Sequence, residues 1–92
     1  MTIKTSQLHI EDYLKTDEDI KEFLQELSST GTYSDFIHGL FTASKAKGMT
    51  EIAQRVGVTR DNLYQSLSED GNPKFETINK IVEALGCKLV II

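Results

Sequence analysis

The sequence predicts an all-α domain of five to six helices that ends in a short β-strand. Apolar residues recur every three or four positions along most of the chain, and clusters of Gly, Ser and Thr interrupt this helical spacing. Residues 87–92 break the pattern with a continuous, largely β-branched run. At 92 residues, with 39% hydrophobic and 26% charged residues, the chain has the length and composition of a single globular domain.

A short helical turn over residues 10–14 and a first long helix are predicted to open the chain. Thr16 and Asp19 have the spacing of a capping box, and the acidic residues 17–19 lie where a helix dipole favours negative charge. The helix that follows ends in the breaker cluster at residues 28–31. Its apolar stripe consists of Ile20, Phe23, Leu24 and Leu27.

A second long helix is predicted from Thr32, which again has an aspartate, Asp35, three residues later. It runs to about residue 46, before Gly48. Gly39 lies in the middle of this helix, where glycine costs about 1 kcal/mol relative to alanine. We therefore expect another helix to approach closely at Gly39. The apolar side of this second helix is marked by Phe36, Ile37, Leu40 and Phe41.

The second half of the chain predicts two short helices, a closing helix and the strand. The short helices cover residues 50–56 and 60–67, and residues 57–59 leave room for a tight turn. The closing helix covers residues 75–86 and ends at Gly86 as a left-handed cap. Because the strand over residues 87–92 is apolar on both faces, it needs a partner. That partner is a second copy, paired through Leu89, Val90 and Ile91, or residues 7–10 of the same chain, and both pairings can hold together. The apolar side of the closing helix consists of Phe75, Ile78, Ile81, Val82 and Leu85.

Residues 49–68, MTEIAQRVGVTRDNLYQSLS, have the most specific spacing. Ala53 is small where a second helix would cross, Gly57 can adopt the positive φ that a sharp turn requires, and Thr59 can cap the second helix. Leu67 can fill the space where Ser66 replaces a more common apolar residue. The stretch resembles the helix-turn-helix of phage repressors of the XRE/Cro class, which implies a lambda-repressor-like DNA-binding domain; the alternative is an ordinary αα-corner. The positions expected to fill the space between its helices are Ile52, Val56, Val58 and Leu63.

The helix-turn-helix resemblance implies that residues 60–67 enter the major groove of DNA. Gln65 can pair with adenine and Arg60 with guanine, and the alternative for both is contact with phosphate alone. Tyr64 can offer its hydroxyl to phosphate or its ring to a thymine methyl group. Asp61 can accept a hydrogen bond from cytosine, or it can merely cap the helix.

Phosphate contacts are expected around the turn, where basic residues and helix N-termini come together. Thr50 and Thr59 lie at helix N-termini, where a hydroxyl and free backbone N–H groups suit a phosphate. Residues 45–60 hold four basic residues against one acidic residue, a surplus of three positive charges. A two-fold dimer would double this small patch. Its charged members are Lys45, Lys47, Arg55 and Arg60, with Glu51 opposing them.

The net charge of -4 argues at first against a nucleic-acid partner, but the charges are unevenly distributed. Residues 1–36 hold three lysines and eight acidic residues, which gives -5, whereas residues 37–92 hold seven basic and six acidic residues, which gives +1. The acidic half of the chain and the basic patch therefore suggest two different surfaces.

The order of segments resembles the addiction-module antidote proteins, the HigA-like antitoxins of bacterial toxin–antitoxin pairs. The resemblance covers residues 10–91 and rests on YLKTDEDI at residues 13–20, KGMT at 47–50 and LYQSLSEDGNPKF at 63–75. It implies a homodimer that binds double-stranded operator DNA, represses its own operon and neutralises a small basic RelE/ParE/HigB-like toxin. Acidic residues that could contact such a toxin, unless they form an ordinary solvated helix face, are Asp17, Glu18, Asp19, Glu22 and Glu26.

Two other functions fit the same residues. One is a stand-alone transcriptional repressor of phage type with no toxin partner. The other is an interaction module that neutralises a partner protein without binding DNA.

Several classes of protein are not indicated. His9 and His38 lie in different segments and no nucleophile motif or phosphate loop occurs, so we expect no enzyme, cofactor or small-molecule substrate. Cys87 is the one cysteine, which gives neither an internal disulfide nor zinc-ligand spacing. The chain has no secretory-signal pattern and no apolar run of about 18 residues, so we expect a cytoplasmic protein without a membrane partner.

Overall fold

The computed structural model describes residues 10–68 and 71–90, which form a 3-10 turn followed by five α-helices. The predicted all-α class and each predicted helix are confirmed within these ranges, with helix ends that differ from the prediction by one or two residues. The elements are the 3-10 turn Ile10–Tyr13, α1 (Asp17–Thr30), α2 (Tyr33–Lys47), α3 (Met49–Val56), α4 (Arg60–Leu67) and α5 (Phe75–Ala84).

Both long helices begin with the capping boxes that the sequence predicts. In α1 the backbone N–H of Asp19 donates to Thr16 Oγ1, and the backbone N–H of Thr16 donates to Asp19 Oδ2, each at 3.1 Å. Thr32 and Asp35 repeat the arrangement at the start of α2, at 3.2 and 3.0 Å. A cap of this kind stabilises a helix by about 1 kcal/mol, so both starting points are set locally.

Helix α2 lies at the centre of the fold. Leu40, Ala43 and Ser44 on this helix have no exposed surface, and α1, α3, α4, α5 and the 3-10 turn all contact it. The close approach expected at Gly39 is confirmed, because a Cβ atom added there would collide with the Leu27 side chain of α1. The buried apolar side chains of all five helices form one cluster around α2.

Gly57 makes the turn between α3 and α4. Its φ is +89°, a left-handed conformation that costs a residue with a Cβ atom about 1 to 2 kcal/mol. The backbone N–H groups of Gly57 and Val58 both donate to the carbonyl oxygen of Ala53, at 2.9 and 3.0 Å. Thr59 then caps α4 by accepting a hydrogen bond from the backbone N–H of Asn62 at 3.1 Å.

The core of the α3–α4 pair follows the predicted pattern with one correction. Ile52, Ala53 and Leu63 are buried, and Leu67 is buried beside the half-exposed Ser66. The prediction that Val58 fills the space between the helices is wrong, because this side chain is 37% exposed. Val58 lies in the turn between α3 and α4 and does not belong to the buried cluster.

Helix α5 closes the bundle and ends in a Schellman motif at the predicted glycine. Gly86 has φ +81°, its N–H donates to the Glu83 carbonyl oxygen, and the N–H of Cys87 donates to the Val82 carbonyl oxygen, both at 3.0 Å. The assignment of Phe75 to the buried side of this helix is wrong, since Phe75 is 72% exposed. Phe75 is the first residue of α5 and extends beyond the cluster that buries the later turns.

The predicted C-terminal strand is not present in residues 87–90, the part of it that the structure describes. Here the chain has no regular secondary structure, with Cys87 and Leu89 half-buried and Lys88 and Val90 exposed. A strand requires a second strand to pair its N–H and C=O groups, and residues 10–68 and 71–90 contain none. Ile10 belongs to the 3-10 turn, and the other proposed pairing residues, 7–9 and Ile91, lie outside the described ranges. Across the same ranges, no helix is both long enough and apolar enough to cross a membrane.

Candidate functional site

Helix α4 presents a polar stripe outward because its opposite side is held in the core. Leu63 and Leu67 are buried, with 0% and 2% of their surface exposed. The helical period therefore turns a set of hydrogen-bonding side chains toward solvent. This stripe contains Asp61, Tyr64 and Gln65, all predicted to contact DNA and all exposed. Arg60 is also exposed, but as the first residue of α4 it precedes Leu63 and Leu67 by three and seven positions and lies on their side of the helix.

The N-termini of α3 and α4 differ in how their backbone N–H groups are satisfied. Gly48, the N-cap of α3, supplies no side-chain hydrogen bond, so the first turn of α3, which includes the exposed Thr50, can offer N–H groups to a phosphate. At α4 the Thr59 oxygen accepts from Asn62, while its hydroxyl hydrogen can still donate. Thr50 and Thr59, the two threonines predicted to bind phosphate, thus lie at helix N-termini.

Phe41 brings together two of the predicted DNA contacts. Its ring meets the ring of Tyr64 edge-to-face, with 4.9 Å between centroids and an interplanar angle of 86°. The Lys45 ammonium lies 4.7 Å from the centroid of the same ring. Sequence reasoning assigned Phe41 to the core alone, although its spacing of four residues from Lys45 on a helix was a usable signal.

An open cleft of about 610 Å³ lies beside this aromatic contact. It separates the first turns of α2 from the end of α4 and the loop that follows. The cleft is lined by Tyr33, Ser34, Asp35, Ile37, His38, Phe41, Tyr64, Leu67, Ser68, Gly71 and Pro73.

Lys47 and Arg55, two basic residues of the predicted phosphate patch, form ion pairs and hydrogen bonds within the chain. Lys47 Nζ lies 2.7 Å from Asp17 Oδ1. Arg55 donates to the carbonyl oxygen of Ala84 at 3.1 Å, and its other terminal nitrogen lies 3.7 Å from a carboxylate oxygen of Glu51. A phosphate must therefore compete with these contacts for Lys47 and Arg55. The sequence predicts that Lys47 binds phosphate, whereas in the structure Lys47 is already paired with Asp17.

The five acidic residues predicted to contact a toxin have different environments along α1. Asp17 pairs with Lys47, and the Asp19 carboxylate accepts hydrogen bonds from two backbone N–H groups that precede the helix. The other three follow one another at every fourth position and form an exposed stripe away from the buried Ile20 and Leu24. We call this the acidic stripe: Glu18, Glu22 and Glu26.

Outside these surfaces, the described residues offer neither a metal-binding cluster nor a reactive thiol. No group of three or more His, Cys, Asp or Glu side chains in residues 10–68 and 71–90 is arranged to hold a metal ion. Burial raises the pKa of the Cys87 thiol, an effect that nearby Lys21 opposes and Asp17 reinforces. The thiol therefore stays protonated and packs as a small apolar group.

Comparison with known proteins identifies relatives over nearly the whole chain. A family model described as probable addiction module antidote protein matches residues 4–92. A protein of Haemophilus influenzae strain Rd, described as uncharacterized, is 29% identical over 91 residues, which cover 99% of this chain and 94% of that protein. No solved structure matches the chain significantly.

Because Asp17 and Lys47 form an ion pair, we expect the fold to lose stability in acid. The hydrogen bond and charge of Lys47 lower the pKa of the Asp17 carboxyl below its ordinary value. Because the folded-state pKa is lowered, the pair stabilises the fold above the unfolded pKa, and this stabilisation is lost as pH falls through the folded pKa. We expect Asp17→Asn to lower the urea midpoint at about pH 7 and to leave it unchanged at about pH 2.

Glu18→Gln is the matched control, because Glu18 also lies in the first turn of α1 but is not bonded to Lys47. Its urea midpoint should change less than that of Asp17→Asn at neutral pH. Equal losses in the two variants would show that the helix dipole, and not the ion pair, accounts for the effect.

Proposed function

Since this chain belongs to the family of probable addiction module antidote proteins, we propose that it is a HigA-like antitoxin that blocks a RelE/ParE/HigB-like toxin and represses their shared operon. Family membership implies a toxin partner and fits a regulatory protein rather than an enzyme. Two separate surfaces support two binding activities, one on α3 and α4 and one on α1.

The DNA-binding part of the proposal rests on one observation, the outward polar stripe of α4 opposite its two buried leucines. The left-handed turn at Gly57 joins α3 to α4 with the short connection of a helix-turn-helix. We assign α4 as the recognition helix of a lambda-repressor-like domain. In this assignment α4 enters the major groove while α3 crosses the DNA backbone.

The side chains of this surface divide into base-reading and phosphate-binding roles. Gln65 is suited to adenine and Arg60 to guanine, because each can make two hydrogen bonds to one base edge. Tyr64 can contact phosphate or a thymine methyl group, and Asp61 can accept from cytosine. Phosphates are assigned to the two helix starts and to the lysines beside them: Thr50, Thr59, Lys45 and Lys47.

A titration of DNA binding tests the repressor role. The chain should bind a duplex from upstream of its own gene more tightly than a scrambled duplex of equal composition, and its affinity should fall steeply with salt. Arg60→Ala and Gln65→Ala should each cost about 1 to 3 kcal/mol and relax preference at one base position. Fluorescence anisotropy with single-base variants of the duplex measures both effects.

Gln25→Ala, at an exposed position on α1, is the control for Gln65→Ala and should leave DNA affinity unchanged. Uniform weakening by Gln65→Ala across all duplexes would reassign this residue to phosphate. Equal affinity of the wild-type chain for both duplexes at every salt concentration would remove the repressor role.

The toxin-binding part of the proposal rests on the acidic stripe of α1. Its three glutamates are exposed and lie on the side of α1 opposite the contact with α2. A negative surface of this kind attracts a basic partner over a distance and speeds its association. Asp17 and Asp19 border the stripe, although their carboxylates already have partners within the chain.

Replacing Glu22 and Glu26 together by Gln should slow association with the basic protein encoded beside this gene several-fold at low salt. The difference should shrink at high salt, because screening removes long-range attraction. Glu76→Gln with Glu83→Gln on α5 makes the same change in net charge and should have little effect. Equal slowing in both double variants, measured by stopped-flow mixing, would contradict a toxin surface on α1.

We also propose that the chain dimerises through residues 87–92, with Leu89, Val90 and Ile91 pairing with a second copy. Val90 is 67% exposed in a segment without regular secondary structure, and the described ranges contain no strand beside it. Sedimentation equilibrium should give the mass of a dimer for the wild type and of a monomer for Val90→Lys. Val58→Lys, in the turn between α3 and α4, should remain dimeric. A monomeric wild type, or a dimeric Val90→Lys, would refute this mode of pairing.

A further inference from the structure

We infer that Phe41 is a positioning residue of the DNA interface, which orders Lys45 and Tyr64 for their contacts although it makes none itself. The inference rests on the proposed DNA binding and deepens it. Phe41 lies on α2, the helix that also carries Lys45 and Lys47, so this assignment adds an aromatic residue to the part of the interface that α2 supplies.

The ring of Phe41 makes two contacts, one with the ammonium of Lys45 and one with the ring of Tyr64 in an edge-to-face arrangement. The Lys45 ammonium is held 4.7 Å from the ring centroid, and Lys45 follows Phe41 by one turn of the same helix. Tyr64 reaches the ring from α4, with an interplanar angle of 86°. Both arrangements are the favoured ones for an aromatic quadrupole, so a single side chain fixes two neighbours from two helices.

The contact with Phe41 prepares Lys45 for a phosphate. A lysine side chain has four flexible carbons, and fixing them on binding costs conformational entropy of up to about 2 kcal/mol. Lys45 is exposed, and its contact with the Phe41 ring restricts where the ammonium lies. The ammonium has three donors, and a cation over an aromatic face can still donate to a phosphate oxygen. Part of the ordering cost is therefore met before DNA arrives.

The contact with Phe41 also fixes Tyr64, which borders the open cleft. Tyr64 is 52% exposed, and with the cleft of about 610 Å³ on one side its ring has space to move away from α2. Phe41 lines the same cleft and meets the ring of Tyr64 there. The hydroxyl of Tyr64 is thereby held in one direction relative to Gln65, its neighbour on the polar stripe of α4.

Phe41→Leu tests the inference, because leucine keeps an apolar side chain at this half-buried position but removes the ring. Affinity for a duplex from upstream of the chain's own gene should fall about 3- to 10-fold. The slope of log affinity against log salt should fall by up to about 0.9, the value for complete loss of one phosphate contact. Phe41→Tyr, which keeps the ring, should restore both the affinity and the slope.

Phe36→Leu is the matched control, since Phe36 is a second half-buried aromatic residue of α2 that packs against the core. Phe36 faces α1 and the C-terminal segment, in a different cavity from Phe41. Its replacement should leave the salt slope unchanged. If Phe41→Leu and Phe36→Leu lose equal affinity with equal slopes, Phe41 is a core residue alone and the inference is overturned.

A measurement on the DNA-free wild type separates failure of this inference from failure of the proposed DNA binding. Ring currents of Phe41 should shift the ε-methylene protons of Lys45 upfield and move the ring protons of Tyr64 away from their random-coil positions in NMR spectra. Ordinary random-coil shifts for both residues would overturn the inference whatever the DNA result. A wild type that shows these ring-current shifts but does not distinguish operator from scrambled DNA would overturn the proposed function, and with it the role of Phe41 in DNA binding.

Discussion

The packing of every other helix against α2 is the constraint on which the structure depends. Leu40, Ala43 and Ser44 leave no exposed surface at the middle of this helix, and Gly39 brings α1 close at the same level. Helix α3 also packs on α4 and α5, whereas α1 packs chiefly on α2. Helix α1 and the α3–α4 pair are therefore joined through one shared core, which allows each to present a separate surface.

The charge that this chain presents at its surface depends on contacts between distant residues as well as on the order of charged residues in the sequence. The net charge of -4 combines an acidic first part with a basic patch before α4. The Asp17–Lys47 contact joins these two regions, and Arg55 is used to hold α3 to the end of α5. Less positive charge is then immediately available to DNA than the sequence count suggests. A modest patch of this kind gives useful affinity when a two-fold dimer presents it twice, which fits the proposed pairing of C-terminal segments.

Local signals predicted most of the fold, and long-range contacts account for what the sequence could not predict. The capping boxes at Thr16 and Thr32 and the left-handed Gly57 depend on neighbours within a few residues, so their spacing was sufficient. Phe75 lies beyond the core although its spacing is apolar, and residues 87–90 lack a strand to pair with. The pairing of Lys47 with Asp17 and the contact of Phe41 with Tyr64 join distant segments, which periodicity alone cannot reveal.

In the proposed function, one small helical core supports two separate binding surfaces, one for DNA and one for a toxin. Amide NMR spectra of the isotope-labelled chain, recorded with each partner in turn, test this claim most directly. Operator DNA should shift the signals of residues 49–68, and the basic partner protein should shift those of residues 17–30. Perturbation of the same helix by both partners, or of α1 rather than α4 by DNA, would contradict the account.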